Sequence, residues 1–498
     1  MNRRSSGILL HLTSLAGPFG IGDLGPWAYR FVDFLAETEQ SFWQILPLTP
    51  TNRDHDQSPY HSASAFAGNP LLISPERLVK DRLLDEADLA ATPDYPAGRV
   101  DSSAVSAFKE KLFELAYERF QARGAGDGFD RFCRRHAGWL DDFVLFDALK
   151  SHYHGDPWHK WPAEIRDRDS HALAAVQHEL GKRLQGLKFR QYLFYRQWSD
   201  LRRHCRQKHI QVIGDLPIYL PHDSADVWGH PELFKLGEDK RPSVVSGVPP
   251  DYFSETGQLW GHPVYRWDAL QKSGYAWWIQ RLGHQLDLFD VVRIDHFRGL
   301  VAYWEVPAAE KTAINGTWIP VPVDDFLNRL MKHFACLPII AEDLGMITPE
   351  VREIMHRYRL PGMRVLLFAF GEDFPTGAFL PHNHVKNCFI YTGTHDNNTV
   401  KGWFENEANS QEKERVCRYL GRRVSAADIS WEMIRLAMMS VANTAIIPLQ
   451  DLLGLGAEAR MNDPSKTNGN WHWRLDRDPI TPELAGRLRQ MTGTYGRS

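Results

Sequence analysis

A chain of 498 residues, 43% hydrophobic and 24% charged, is long enough to bury a large core and has no disorder signature. Its net charge is -4 at pH 7, and no basic run is long enough to follow a phosphate backbone, so nucleic acid and anionic membranes are excluded as partners. The five cysteines, Cys133, Cys205, Cys336, Cys388 and Cys417, are scattered without a C-x-x-C spacing; they read as free thiols of a reducing, cytoplasmic compartment rather than as a zinc or disulfide framework.

At the amino terminus two arginines precede an apolar run, as in export signals. His11 interrupts that run and no small-x-small cleavage site follows, so Gly7 to Leu15 reads as a first strand, ILLHLTSL from Ile8. Further runs of strand length are FWQILPL from Phe42, IQVIGDLPI from Ile210, VVRIDH from Val291, IIAEDLG from Ile339, RVLLFAF from Arg364, CFIYTGTHD from Cys388 and AIIPLQDLL from Ala445. Helical patterns such as FVDFLAETEQ from Phe31 and AWWIQRLGHQLDLF from Ala276 separate most of them. Runs apolar on both faces, alternating with helices, predict a parallel sheet covered by helices. Eight such units predict an α/β fold of the (β/α)8 TIM-barrel type, with its site at the carboxyl ends of the strands. A doubly wound open sheet is the alternative, less favoured because no G-x-G-x-x-G follows the first strand.

Residues 1–498 therefore read as one catalytic barrel with insertions between its strands. Charged amphipathic patterns from Val105, from Phe129 to Tyr153 and from Ala172 to Gln207 predict a largely helical insertion over 76–205. GAGDG at Gly124 reads as a hinge between helices, since no strand precedes it and no Gly-Lys-Ser/Thr follows. A second insertion spans 219–285, where VVSGVPPDYFSETGQLWGHP mixes turn residues with large aromatics. Its loop 247–261 carries Tyr252, Phe253 and Trp260, either packed under the loop or held out as an active-site lid. The longest uncharged run, Leu436 to Gln450, contains Ser440, Asn443 and Thr444 and falls short of the roughly 20 apolar residues of a membrane span, so it reads as core.

The stretch VVRIDHFRGL from Val291 holds the strongest chemical signal. Alternate side chains of a strand share a face, so Arg293 and Asp295 stand together where a buried strand should be apolar. One such pair is ordinarily a structural ion pair or a helix cap. In a barrel it becomes one of several: Asp215, Asp295, Glu342 with Asp343, and Asp396 each fall at the carboxyl end of a different strand and converge on one mouth. Crowded carboxylates resist joint ionisation unless cations or substrate compensate them, and Arg293, His296, Arg298 and His395 are placed to do so. Converging carboxylates among aromatics are the equipment of glycoside chemistry, in which one carboxyl protonates the leaving oxygen and another attacks or assists at the sugar carbon. The seventeen tryptophans suit stacking on sugar faces, although most must be core. His152, His154 and His159, and His382, His384 and Cys388, lack a zinc-ligand spacing and read as solvated or stacking side chains, with Cys388 a small core residue. No metal and no cofactor is implied.

The segments VRIDHFRG, AEDLG, YTGTHDNNT, GVPPDYFSETGQLWG, SPYHSASAFAGNP, ARMNDP and GNWHWR resemble the amylomaltases, or 4-α-glucanotransferases, of the α-amylase clan (glycoside hydrolase family seventy-seven). The resemblance runs from the first strand to the final tryptophan segment and is weakest in the helical insertion. It implies a barrel without a carboxyl-terminal β-sandwich domain, and transfer of α-1,4-glucan segments between malto-oligosaccharides. By the same resemblance Asp295 is the nucleophile, Glu342 the general acid/base and Asp396 the transition-state stabiliser. Arg293, His296 and His395 are implied to partner the nucleophile and the substrate hydroxyls, and Ser58, Tyr60, Asp215, Asp251, Tyr252, Phe253 and Trp260 to surround the glucan. A covalent β-glucosyl-enzyme resolved by an acceptor 4-hydroxyl gives net retention, for which two carboxyls about 5 to 5.5 Å apart are expected. An α-glucan hydrolase of the same clan is the nearest alternative reading; a catalytically silent glycan-binding protein is the more distant one, disfavoured because every acid of the triad is present.

Overall fold

The computed structural model describes residues 3–124, 126–250, 254–476 and 479–498. Eight strands form the barrel: β1 (Ser5–Leu9), β2 (Phe42–Gln44), β3 (Gln211–Leu216), β4 (Val291–Ile294), β5 (Ile339–Ala341), β6 (Gly362–Val365), β7 (Cys388–Tyr391) and β8 (Thr444–Pro448). Neighbours in chain order pair in parallel and β8 returns to β1. Between β5 and β6 the ring closes where Ala341 N donates to Pro361 O at 2.9 Å. Each of the eight apolar runs thus supplies one barrel strand, the outcome expected of segments buried on both faces. The sixth run is strand only to Val365, after which Leu366–Phe368 coil into a 3₁₀ turn. Leu436 to Gln450 holds the end of one helix followed by β8 and is packed in the core except for the exposed Met439 and Val441 at their junction. Among the described residues no helix is long and apolar enough to cross a membrane.

Ser102–Ala122 and Asp127–His152 are helices, the second of which takes in Asp127 and Gly128 of the GAGDG segment expected as a hinge. The pattern from Ala172 to Gln207 divides at Leu180 into Ser170–Glu179 and Gly181–Gln207. The second of these buries Leu193, Phe194, Trp198 and Leu201 against the barrel. Two of its amides also act like strand edges. Gln191 accepts from Gly68 N at 2.8 Å and donates to Gly68 O at 2.9 Å, and Gln197 pairs the same way with Ser74. The loop that follows β2 and carries SPYHSASAFAGNP is thereby pinned to the helix by buried, fully used amides.

The sequence pattern did not foretell a second sheet. Gln258–Pro263, Val244–Val248, Ala302–Pro307 and Thr317–Pro320 lie side by side as a four-stranded antiparallel sheet over the barrel mouth. The two ends of the expected loop 247–261, residues 247–248 and 258–261, are the arms of a hairpin anchored in this sheet. Gly257, at φ +67°, occupies its turn in the left-handed region that glycine tolerates best.

Candidate active site

The strand ends deliver four acids to the mouth, and a buried arginine organises them. Parallel register sets Arg293 of β4 opposite Asp215 of β3. Arg293 NH1 donates to both Asp215 oxygens, at 2.8 and 2.6 Å, while NH2 reaches Asp295 Oδ1 at 2.9 Å. Sharing one face of a strand thus becomes a direct contact between Arg293 and Asp295. Asp215 is fully buried, and its Oδ2 also accepts from the Tyr60 hydroxyl at 2.7 Å. The Tyr60 oxygen lies 2.8 Å from His395 Nε2, which in turn lies 3.4 Å from Asp396 Oδ2. A continuous chain therefore runs Asp295, Arg293, Asp215, Tyr60, His395, Asp396. Asp295 and Asp396, its ends, keep 30% and 41% of their side chains exposed, whereas the groups between are held by protein. Asp215, expected beside the glucan, fixes Arg293 and Tyr60.

Glu342 lies directly after β5, and its carboxylate is held from two sides. Oε2 accepts from His296 N at 2.8 Å and Oε1 from Leu344 N at 2.7 Å. His296 adopts φ +52°, a left-handed conformation rare for a side chain of this size, and this turn aims the amide after Asp295 at Glu342. Asp343, its neighbour, points to the other side: Met363 N and Arg364 NH1 donate to it at 2.6 and 2.9 Å, so it braces β6. Arg298 likewise turns from the acids, donating to Met346 O and lying 3.8 Å over the Trp318 ring.

Burial pushes the Asp295 carboxyl up, Arg293 opposes the rise, and Asp215, Glu342 and Asp396 add to it. Glu342 is raised by burial as well, against Arg293 and its two N–H bonds. The two carboxyls together retain a proton at a pH where a solvated carboxyl has none. His395 is driven by burial below its ordinary value, although Asp396 draws it upward, and His296 is lowered by burial to about 4.

Some members of the site were not assigned from sequence. Asn462 Nδ2 donates to Asp396 Oδ1 at 2.7 Å, and Asn462 N to His395 O at 3.0 Å. Trp471 packs 5.7 Å from Tyr60 and 6.0 Å from His395. Asp56 ties the loop bearing Ser58 and Tyr60 to the same carboxyl-terminal segment, accepting from Asn470 N at 2.6 Å and bonding His472 Nε2 at 2.9 Å. ARMNDP and GNWHWR were visible as motifs, but only the return of the chain across the mouth reveals these contacts. Ser58 Oγ accepts from Tyr60 N at 3.3 Å, so it shapes the turn that presents Tyr60.

Trp260 stands edge-on to His296 at 4.7 Å and 6.2 Å from Tyr219, half-buried on the hairpin arm. Asp251, Tyr252 and Phe253 lie outside the described residues. Away from the mouth, His382 stacks on Tyr419 and His152 meets Tyr153 edge-on. His384 is not solvated: it is buried, with ring nitrogens 2.8 Å from Ser440 Oγ and Phe379 O. Cys388 is a buried barrel residue, and among the described residues no group of His, Cys, Asp and Glu is arranged to hold a metal ion.

An eight-stranded barrel whose mouth joins a partly exposed strand-end acid, Asp295, to the buried Asp215 through Arg293, with Glu342 and Asp396 beside them, defines the class of carbohydrate-active barrel proteins. The profile of glycoside hydrolase family 77, described as 4-alpha-glucanotransferase, matches residues 10–480, and the chain belongs to this family. The 4-alpha-glucanotransferase of Aquifex aeolicus (strain VF5) is 45% identical, over 99% of each chain. That of Synechocystis sp. (strain ATCC 27184 / PCC 6803 / Kazusa) is 46% identical, over 100% of this chain and 99% of its own. The solved amylomaltase from Streptococcus agalactiae in complex with acarbose superposes with a TM-score of 0.96 at 38% identity, each chain covered completely.

Proposed function

We propose that this chain is a cytoplasmic 4-α-glucanotransferase that moves α-1,4-glucan segments between malto-oligosaccharides by double displacement with retention. The observation that carries the reading is the pairing of Asp295, held by Arg293 NH2 at 2.9 Å, with Glu342, bonded to the amide of the very next residue. Asp295 Oδ attacks the anomeric carbon, the glycosidic C–O bond breaks, and the departing oxygen takes the proton of Glu342. An acceptor 4-hydroxyl then gives its proton to Glu342, attacks the same carbon and releases Asp295. Asp396, pinned by Asn462, is placed to hold ring hydroxyls as the oxocarbenium-like state forms. The proposed cytoplasmic location is supported by the five cysteines, all free. Incubation with maltotriose tests the reading: transfer yields both longer and shorter maltosaccharides, whereas hydrolysis yields only shorter ones.

Arg293 joins two carboxylates through two separate nitrogens, which a lysine cannot do. Arg293→Lys is expected to lower kcat/KM by about 10²-fold. It also weakens the charge that holds the Asp295 pKa down. Asp295 then stays protonated to higher pH, so the acid limb of the kcat/KM profile moves upward. An unmoved acid limb would remove Arg293 from this role.

The hairpin offers a reason for transfer over hydrolysis. With its ring against His296, Trp260 borders the turn that follows Asp295 and is placed to stack on acceptor glucose and exclude water from the anomeric carbon. A stacking contact of about 1 kcal/mol changes the partition between acceptor and water roughly fivefold. Trp260→Ala should raise the hydrolysis-to-transfer ratio on maltotriose by that factor. A lower total rate at an unchanged ratio would reduce the hairpin to a binding or folding element.

A further inference from the structure

Behind His395, at the ends of β7 and β8, lies a small cavity bordered by Leu9, His395, Asn398, Gln450, Arg460 and Met461, with room for about one water molecule. Two side chains on its wall each contribute a buried polar atom that has no protein hydrogen-bond partner among the described residues: His395 Nδ1 and Gln450 Oε1. Both residues are more than nine-tenths buried.

The hydrogen-bond inventory determines what these atoms require. Tyr60 has one hydroxyl proton, and the Asp215 carboxylate, clamped by Arg293, takes it at 2.7 Å. The Tyr60 oxygen can then only accept from His395 Nε2, which must carry a proton; Asp396 Oδ2, at 3.4 Å from the same nitrogen, asks for that proton too. Burial keeps the ring neutral at neutral pH, so Nδ1 is the bare, accepting nitrogen. The Gln450 amide is oriented by Ala459 O, which lies 3.4 Å from Nε2 and accepts from it. Its oxygen is an acceptor as well. Two buried acceptors on one cavity cannot satisfy each other, but a molecule with two O–H donors satisfies both.

We infer that one water molecule bridges His395 Nδ1 and Gln450 Oε1, and that Gln450, by retaining this water, is a positioning residue that holds the His395 ring with its Nε2–H facing Tyr60 and Asp396. The role in transfer rests on the function proposed above; the water and the tautomer do not. Gln450 touches no reacting atom. Its effect reaches the site as an outer hydrogen-bond partner does, by keeping Nδ1 bonded in the ring whose proton Tyr60 and Asp396 place on Nε2.

The test begins with the wild-type protein. A crystal structure should place one solvent peak within about 3.2 Å of both atoms. In the protein labelled with ¹⁵N-histidine, with His395→Gln used to assign the resonance, the His395 signals should show Nε2 protonated and Nδ1 bare and hydrogen-bonded. Gln450→Leu removes the acceptor and should empty the cavity of its water, leave Nδ1 bare and without a hydrogen bond, and lower kcat/KM for transfer about five- to tenfold. Gln450→Glu keeps an acceptor oxygen and should restore the water and the hydrogen bond to Nδ1; its added negative charge raises the His395 pKa, so the ring becomes charged at higher pH than in the wild type. A protonated Nδ1 in the wild type, a dry cavity, or a Gln450→Leu protein whose Nδ1 keeps its hydrogen bond overturns the inference. Should Gln450→Leu not fold, the two wild-type measurements decide alone. A protein with the bridging water and the Nε2–H tautomer but no transfer from maltotriose would contradict only the functional reading.

Discussion

Asp295→Asn should lower transfer between malto-oligosaccharides by at least about 10⁴-fold while the protein stays folded, because residues that act together in one covalent step fail nearly completely when one is removed. Asparagine has the shape of the nucleophile without its charge. The fold has little to lose. Arg293 keeps its bonds of 2.8 and 2.6 Å to Asp215, and the side chain replaced is 30% exposed. Asp215, Glu342 and Asp396 all disfavour ionisation of Asp295, so removing its charge relieves repulsion at the mouth. The melting temperature is accordingly expected to stay equal to that of the wild type or to rise slightly, and the pair of measurements separates lost chemistry from lost structure. Stereochemistry gives a sharper check. In Asp295→Gly, with an activated α-glucosyl donor, azide entering the space vacated on the β face should give the β-glucosyl azide, the product of a single inversion. Transfer above about a hundredth of the wild-type rate would sink the assignment of Asp295 as nucleophile.

Which parts of this molecule can be read from sequence follows from how each is stabilised. The barrel strands are buried on both faces, so each is a continuous apolar run, and all eight runs became strands. The antiparallel sheet is different. Gln258–Pro263 mixes exposed and half-buried residues without alternation, buries only Pro263 and holds a glycine, so its pattern resembles a loop. Its strand character comes from pairing with Val244–Val248, which pairs in turn with Ala302–Pro307, a distant partner no local window contains. The same divide runs through the site. Asp295 and Arg293 were legible because two residues on one strand face must meet. Glu342 and Asp343 stand adjacent in sequence, and only the structure separates the one bonded to His296 N from the one bracing β6. Asp215 was legible as a strand-end acid, yet its complete burial between Arg293 and Tyr60 depends on the register of β3 against β4. Asn462 lies in the motif ARMNDP and Gln450 in the eighth apolar run, but neither segment discloses the partner of its polar side chain. Their meaning arises from closure of the barrel, which brings chain segments more than fifty residues beyond His395 in sequence back against that residue and Asp396.

Glu342→Gln should be as damaging as Asp295→Asn on a natural glucan, and far less damaging to the first step when the leaving group needs no proton. Glutamine preserves an acceptor for one of the two amides that hold the side chain, those of His296 and Leu344, so the turn after Asp295 is largely retained. What it removes is the proton delivered to a departing sugar oxygen and the base that later receives the acceptor's proton. With an α-glucosyl fluoride, glycosylation therefore proceeds and the covalent intermediate accumulates, visible as a burst of fluoride followed by slow turnover. Azide needs no base. It should discharge that intermediate from the α face and give the α-glucosyl azide, two inversions amounting to retention and the opposite outcome to Asp295→Gly. The pH profile carries the same information. Burial raises the Glu342 pKa, so in the wild type activity is lost on the alkaline side above the usual carboxylate range, as the proton leaves. Glutamine has no such proton to lose, and the alkaline limb should vanish from the glycosylation step. Equal losses with the natural glucan and the fluoride in that first step, or an alkaline limb that persists in the variant, would show that the acid is not Glu342.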